Sequence, residues 1–315
     1  MPKMSTKTNP LRLEGATMGT RWSVLLDGPA PPDLTPLKAA LQAAVQEVDT
    51  QMSTWTPQSD LMRFNAAPLN TWHALPSHLM RVLAAGLAIS KMTDAAFEMN
   101  VGDAVTAWGF GPSAIDLAAI QTASASGRVR AMDALHLDEP RLLAKKTAPL
   151  ALDLSGIAKG YGVDRLAEVL ADWGLKSALC TIDGEVRALG SRSNGSPWAV
   201  AIQSPETGKP SAHSMLDLAQ AAVATSGDYR HFVTVKGHRL SHTIDPRRAA
   251  PLLGAPASVS VLAASCAQAD ALATALMVMG QEAGLALARR HGFSALFILR
   301  RGDALTAMGC GHFAA

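Results

Sequence analysis

Aromatics, cysteine and charge are all scarce in this chain, and each scarcity removes a class of function. Of 315 residues only 2 are Tyr, 7 Phe and 3 Cys, and Asp, Glu, Lys and Arg together make up 17%. The formal net charge is +2, without long basic runs. Nothing here builds a surface that stacks bases, tracks a phosphate backbone or binds an anionic membrane. Cys180, Cys266 and Cys310 are far apart and form no Cys-x-x-Cys pair, so neither a zinc site nor a disulfide framework is indicated. Reduced thiols in a cytoplasmic protein are the simplest reading. Both the G-x-x-x-x-G-K-[ST] phosphate loop and the G-x-S-x-G nucleophile elbow are missing. Residues 1–8 lack the apolar stretch of a signal peptide and any nearby Cys for lipidation. Residues 262–280 are long enough to raise the question of a membrane span. Asp270 near their middle would cost ~2.5–3.5 kcal/mol in a bilayer, which argues against one. What is present is 48% apolar residues, enough for a sizeable core. A globular enzyme acting on a small molecule is the better prior.

Periodicity divides the chain into alternating element types. Residues 21–26 read as a strand. Pro36 suits the first turn of a helix whose inward face is Leu37, Leu41, Val45, Val48 and Met52. A second helix is expected over 77–91, a softer region over 111–127 and a short apolar strand over 150–154. A helix over 159–173 is stopped by Gly174. Strands follow at 178–182, 185–189, 198–202, 215–218 and 221–225, then a hairpin turning at Lys236-Gly237. A strand at 258–262 leads into the helix bearing Asp270, and another helix spans 281–291. Strands 295–299 and 304–308 close a hairpin around Arg301-Gly302-Asp303. Strand clusters mixed with helix pairs imply an α+β fold with a largely antiparallel sheet. The expected organisation is a flexible leader over 1–13 and one domain over 14–311.

One helix carries an anomaly. Asp270 and Thr274 lie four residues apart among Ala, Leu, Met and Val, so they share one face of a buried helix. A carboxylate there costs several kcal/mol unless it is paired, hydrogen-bonded or bound to metal. Two oxygens one turn apart suit a hard cation such as Mg²⁺. The alternative is an Asp satisfied by a distant backbone N–H, with Thr274 bonded back to its own helix.

Other segments are individually ambiguous. Asp153-Leu154-Ser155-Gly156-Ile157-Ala158-Lys159-Gly160-Tyr161 enters a helix through small residues, as a phosphate cradle would; equally, Asp153 caps the helix and Lys159 is solvated. Ala224-Thr225-Ser226-Gly227-Asp228-Tyr229 suits a ligand-contacting turn or an ordinary one. His242 is a candidate general base or a structural strand-end histidine. Trp55 can stack on a planar ring or sit in the core or at its rim.

Taken in order, these blocks resemble the ApbE family of flavin transferases, which use FAD to attach FMN to a protein threonine. The matching blocks are Met18-Gly19-Thr20; Met52-Ser53-Thr54-Trp55 with Ser59 and Asn65; Phe97 onward through Trp108-Gly109-Phe110-Gly111; and Asp153 to Tyr161 with Asp164. Later ones are Pro197-Trp198; Ala224 to Tyr229; His242 to Pro246; and Ala269 to Thr274 with Gly280. The resemblance implies a single α+β unit with internal duplication. It implies that Asp270, Thr274 and the Gly156 carbonyl hold Mg²⁺, and that Met18, Trp55, Ala96, Phe97, Glu98, Asp153, Lys159 and Ile244 line the FAD site. It also implies that His242 helps deprotonate the acceptor hydroxyl. The acceptor would be a flavoprotein with an Asp-Gly-x-Ser/Thr-Gly-Ala-Thr type motif. FAD pyrophosphatase activity and non-catalytic flavin binding are the alternatives.

Three departures fall on loops near that site. Glu98 stands where the family usually has Asp. A Gly-Gly pair before an acid becomes Asp183-Gly184-Glu185, and Arg248-Ala249 replaces the usual Thr-Gly. The Asp270–Thr274 pair is intact.

Overall fold

Side chains along the strands alternate between two faces of one sheet. Ala178, Cys180 and Ile182 point into a cluster with Trp22, Val24, Val163 and Leu170, whereas Leu179 joins Ala188, Trp198 and Leu218 on the opposite side. Ala295 and Phe297 likewise face away from Leu296 and Ile298. The computed structural model describes residues 10–125, 127–206, 211–228, 232–235, 238–302 and 304–314. Its central element is an eight-stranded sheet. In chain order the strands are β1 (Leu11–Thr17), β2 (Thr20–Leu26), β3 (Ala178–Ile182) and β4 (Glu185–Leu189). They continue as β5 (Ala222–Gly227), β6 (Ser258–Ala263), β7 (Ser294–Arg301) and β8 (Ala304–Cys310). Spatial order equals chain order, and each neighbouring pair is antiparallel.

Helices cover one face. They are α1 (Thr35–Met52), α2 (Ser77–Met92), α3 (Ala158–Asp172), α4 (Cys266–Met279) and α5 (Gln281–His291). In α1 the five apolar residues expected to face inward are all buried. A two-stranded ribbon, Trp198–Gln203 paired with Ala212–Leu218, covers the other face. This is the α+β arrangement with a large antiparallel sheet that the sequence implies. Among the described residues, no helix is long and apolar enough to cross a membrane.

Several boundaries differ from expectation. Strand β1 begins at Leu11, so residues 11–13 belong to the sheet and not to a leader; Leu13 is in the core. The region 111–127 contains a helix, Leu117–Ala125, capped by Asp116, whose Oδ1 accepts from the Ala118 and Ala119 N–H groups. Residues 150–154 are not a strand. Their backbone is satisfied without a ladder: Asn65 both donates to the Leu152 carbonyl and accepts from its N–H, and Asn100 Oδ1 accepts from Ala151 N. Side-chain amides, together with the Gly102 N–H on the Ala151 carbonyl and the Asp153 N–H on the Met99 carbonyl, thus replace a partner strand. Lys236-Gly237, Tyr229 and Asp303 lie outside the described residues, although strands Phe232–Val235 and His238–Ser241 pair on either side of the expected turn.

One edge of the sheet gathers the features that matter below. Met18-Gly19 joins β1 to β2 and Asp183-Gly184 joins β3 to β4 as two-residue turns, with every φ positive (+46, +70, +49 and +101, respectively). Such turns match the right-handed strand twist and favour Gly and Asp. Trp22 pairs with Ile182, which sets the two turns side by side.

Candidate active site

The cleft is built where α3 and α4 cross. A Cβ at Gly160 would fall on the Cys266 carbonyl and come within 2.8 Å of Asp270 Cβ, so only glycine permits this approach. The closeness lets the Gly160 N–H, in the first turn of α3, donate to Asp270 Oδ2 at 3.0 Å. Asp270 is buried, and burial pushes its pKa up to about 6 against the opposing pull of Lys159. One turn along α4, the Thr274 hydroxyl lies 3.2 Å from that of Ser226 at the end of β5. A Cβ on Gly156 would lie 3.1 Å from Thr274 Oγ1, so the loop entering α3 runs directly beside that hydroxyl.

Around this crossing opens a cleft with about 950 Å³ of space, its mouth included. Ala96, Phe97, Glu98, Asp153, Gly156, Lys159, His242, Ile244, Asp270 and Thr274 all line it. Ten residues named from sequence, spread over 179 positions from Ala96 to Thr274, therefore meet in one place. Their roles differ. Glu98 Oε1 accepts from Asn100 N and Ala131 N, at 2.7 and 3.0 Å, and so ties its loop to the start of the short helix Ala131–Ala134. Burial raises the Glu98 pKa against those hydrogen bonds. Asp153 Oδ1 accepts from Ser155 N at 2.8 Å, and burial raises its pKa as well. That turn fixes the loop that carries Gly156. His242 meets the edge of Phe110, ring centroids 6.4 Å apart.

As a metal site, this one is incomplete by itself. Among the described residues, no three His, Cys, Asp or Glu side chains gather to hold an ion. At the Asp270–Thr274 crossing itself the donors are one carboxylate, two hydroxyls and backbone carbonyls, all hard oxygens. That set suits a cation that keeps water or substrate oxygens in its shell, as Mg²⁺ does.

Residues 18–297 match the ApbE family. The chain belongs to the ApbE family. It is 35% identical over 295 residues to the FAD:protein FMN transferase of Vibrio cholerae, covering 93% of this chain and 88% of that protein. It is 34% identical over 304 residues to the one from Haemophilus influenzae, with the same two coverages of 93% and 88%. The crystal structure of Pseudomonas stutzeri flavinyl transferase ApbE in its apo form superposes with a TM-score of 0.84 at 34% identity, over 96% of this chain and 95% of that one. Flavin transferase ApbE from Vibrio cholerae gives 0.85 at 32%, over 96% and 97%.

Two residues that the ApbE resemblance brings to the flavin site do not line the cleft. Met18 packs instead against both helix-side clusters, and a Cβ on Gly162 would be 2.8 Å from its Cε. Trp55 is 64% exposed and follows the end of α1. Conversely, Asp183, Glu185, Ser226 and Thr243 line the cleft without having been assigned a role. An Asp-Gly pair between two apolar runs is itself a hairpin signal; its register would have pointed to Asp183 and Glu185. Where the family usually has Gly, Ala249 keeps a positive φ of +51, and its carbonyl accepts from Trp108 Nε1 at 2.9 Å.

Proposed function

We propose that this ApbE-family chain is an Mg²⁺-dependent FAD:protein FMN transferase acting on a threonine of a flavoprotein acceptor. The observation that carries the reading is the meeting of Asp270, Thr274, the Gly156 loop and His242 around one open cleft. The names of its relatives support the same activity. The threonine Oγ attacks the FMN-side phosphorus of FAD, the bond from that phosphorus to the bridging oxygen breaks, and AMP leaves with that oxygen. His242 takes the hydroxyl proton. Asp270, Thr274 and the Gly156 carbonyl would hold Mg²⁺, which offsets the charge of the pyrophosphate. The open mouth gives a loop of the acceptor access to the reacting phosphorus, and proximity favours its hydroxyl over bulk water. The proposed acceptor carries an Asp-Gly-x-Ser/Thr-Gly-Ala-Thr type motif. The cytoplasm is the proposed compartment, in keeping with three buried, unbridged cysteines.

Product analysis tests this reading. With FAD and Mg²⁺, AMP is expected to form in proportion to added acceptor, without matching free FMN, and EDTA is expected to stop it. FMN and AMP accumulating together, with or without acceptor, would establish a pyrophosphatase; FAD retained without AMP would establish a flavin-binding protein.

A further inference from the structure

Among the described residues, three of the five carboxylates that line the cleft, Asp183, Glu185 and Asp270, stand near its one ammonium. Lys159 Nζ, in the first turn of α3, lies 3.1 Å from Asp183 Oδ2 and 3.0 Å from Glu185 Oε1, and Asp270 lines the same space. Lys159 is the only Lys or Arg among the described residues lining the cleft. The ammonium best placed to meet a substrate phosphate is therefore already engaged. Burial works against its charge, but Glu185, Asp270 and Asp183 outweigh that and raise its pKa.

The two carboxylates engaging Lys159 are not equivalent. Glu185 is 3% exposed, and burial pushes its carboxyl up to about 8 in spite of Lys159. Its Oε2 has no hydrogen-bond partner among the described residues. Asp183 stands in the turn, its side chain 26% exposed. At φ +49 the backbone there suits glycine at least as well as aspartate. The backbone turn itself could be made by glycine, and among its contacts the aspartate side chain sets a negative charge against Lys159.

We propose that Asp183 withholds Lys159 from the substrate's phosphates and so sets how strongly nucleotide binding depends on a divalent cation. An ammonium neutralised by Asp183 offers a pyrophosphate little net attraction. Asp183 is thus a specificity-setting residue: it discriminates against metal-free dinucleotide. The inference rests on reading the cleft as the FAD site.

Flavin fluorescence titration of FAD into the full chain, in EDTA and in Mg²⁺, tests it with Asp183→Gly and Asp183→Asn. The parent should bind FAD in Mg²⁺ and much more weakly in EDTA. Both variants should bind FAD in EDTA about tenfold tighter than the parent, as expected for removing one charge a few ångströms from the phosphates. The gain should shrink in Mg²⁺ and fall well below about tenfold when Lys159→Gln is added to either variant, which leaves only the relief of direct repulsion. Asp183→Asn keeps the size and turn preference of the native residue, so a folding defect in one variant does not decide the matter. Variants no tighter than the parent in EDTA, or a gain undiminished by Lys159→Gln, would overturn the proposal. A parent that fails to bind FAD even in Mg²⁺ would instead overturn the reading of the cleft, and this inference with it.

Discussion

Two buried aspartates bridge the same pair of helices from opposite sides, and they end up with different work. Asp164 on α3 accepts from Cys266 N and Ala267 N at the start of α4, at 2.8 and 2.9 Å, and from Arg187 at 2.5 Å. Both of its oxygens are used. Asp270 on α4 accepts from Gly160 N at the start of α3 through Oδ2, while its Oδ1 takes no hydrogen bond from the described residues. Each helix thus caps the other with a carboxylate, where the N-terminal end of the dipole favours negative charge. Desolvation raises both pKa values. What separates them is the remaining oxygen. A carboxylate whose lone pairs are consumed is a structural fastening; one with an oxygen to spare, lining a cleft, is available for a ligand.

The comparison breaks if the two residues can be exchanged in effect. Asp164→Asn leaves the Arg187 charge half-buried and without its partner. It is expected to cost about 3–5 kcal/mol of stability in urea unfolding, while folded molecules keep their activity within a few-fold. Asp270→Asn should do the reverse, lowering FMN transfer at least about a hundredfold, the scale of losing a key electrostatic group, with melting unchanged or improved. An inactive but stable Asp164 variant, or an active Asp270 variant, would erase the distinction.

Gly160→Ala sharpens the same contrast by forcing the helices apart. Overpacking against the Cys266 carbonyl is expected to cost about 1–3 kcal/mol and to lower activity beyond what the unfolded fraction explains. A fully active, fully stable alanine variant would show that the close crossing does not position Asp270. At the periphery, Trp55→Ala should weaken FAD binding by about 1–3 kcal/mol if the exposed ring covers the flavin, with no change in melting. Unchanged affinity would leave Trp55 as a surface residue only.

The same contrast also has a signature in pH dependence. The folded-state pKa of Asp270, about 6, lies above the ordinary value near ~3.9. Folding therefore takes up a proton between those two values, and this group's contribution to stability falls as pH rises from about 4 to 6, then stays flat. In EDTA, the stability of Asp270→Asn relative to the parent should rise across that window. A constant difference from pH 4 to 7 would mean that burial does not perturb the carboxyl.

Much of this arrangement was legible in the residues, and the illegible parts share a cause. The inward stripe of α1 and strands β3 and β4 follow from periodicity alone, because their neighbours in space reward the local pattern. Asp270 stood out because a charge inside an apolar helix demands an explanation. Residues 150–154 read as a strand, yet their partners are amides on Asn65 and Asn100 and isolated backbone groups of Met99 and Gly102, and periodicity carries no trace of partners so far away. The ion pairs of Lys159 with Asp183 and Glu185 were hidden for the same reason. They depend on a hairpin turn and a helix start that only the sheet brings together.

Whether the crossing of α3 and α4 supports FMN transfer to a threonine is decided by the intact mass of the acceptor. A flavoprotein domain carrying the motif is incubated with FAD, Mg²⁺ and either the parent or His242→Ala, and modified peptides are sequenced by tandem mass spectrometry. The account predicts one added FMN on the last threonine of the motif with the parent. It predicts an unmodified acceptor with His242→Ala, whose FAD affinity should stay within about twofold of the parent, since proton acceptance and nucleotide binding are separate tasks. An acceptor left unmodified by the parent while FMN and AMP accumulate, or modified at the parental rate by His242→Ala, would contradict it.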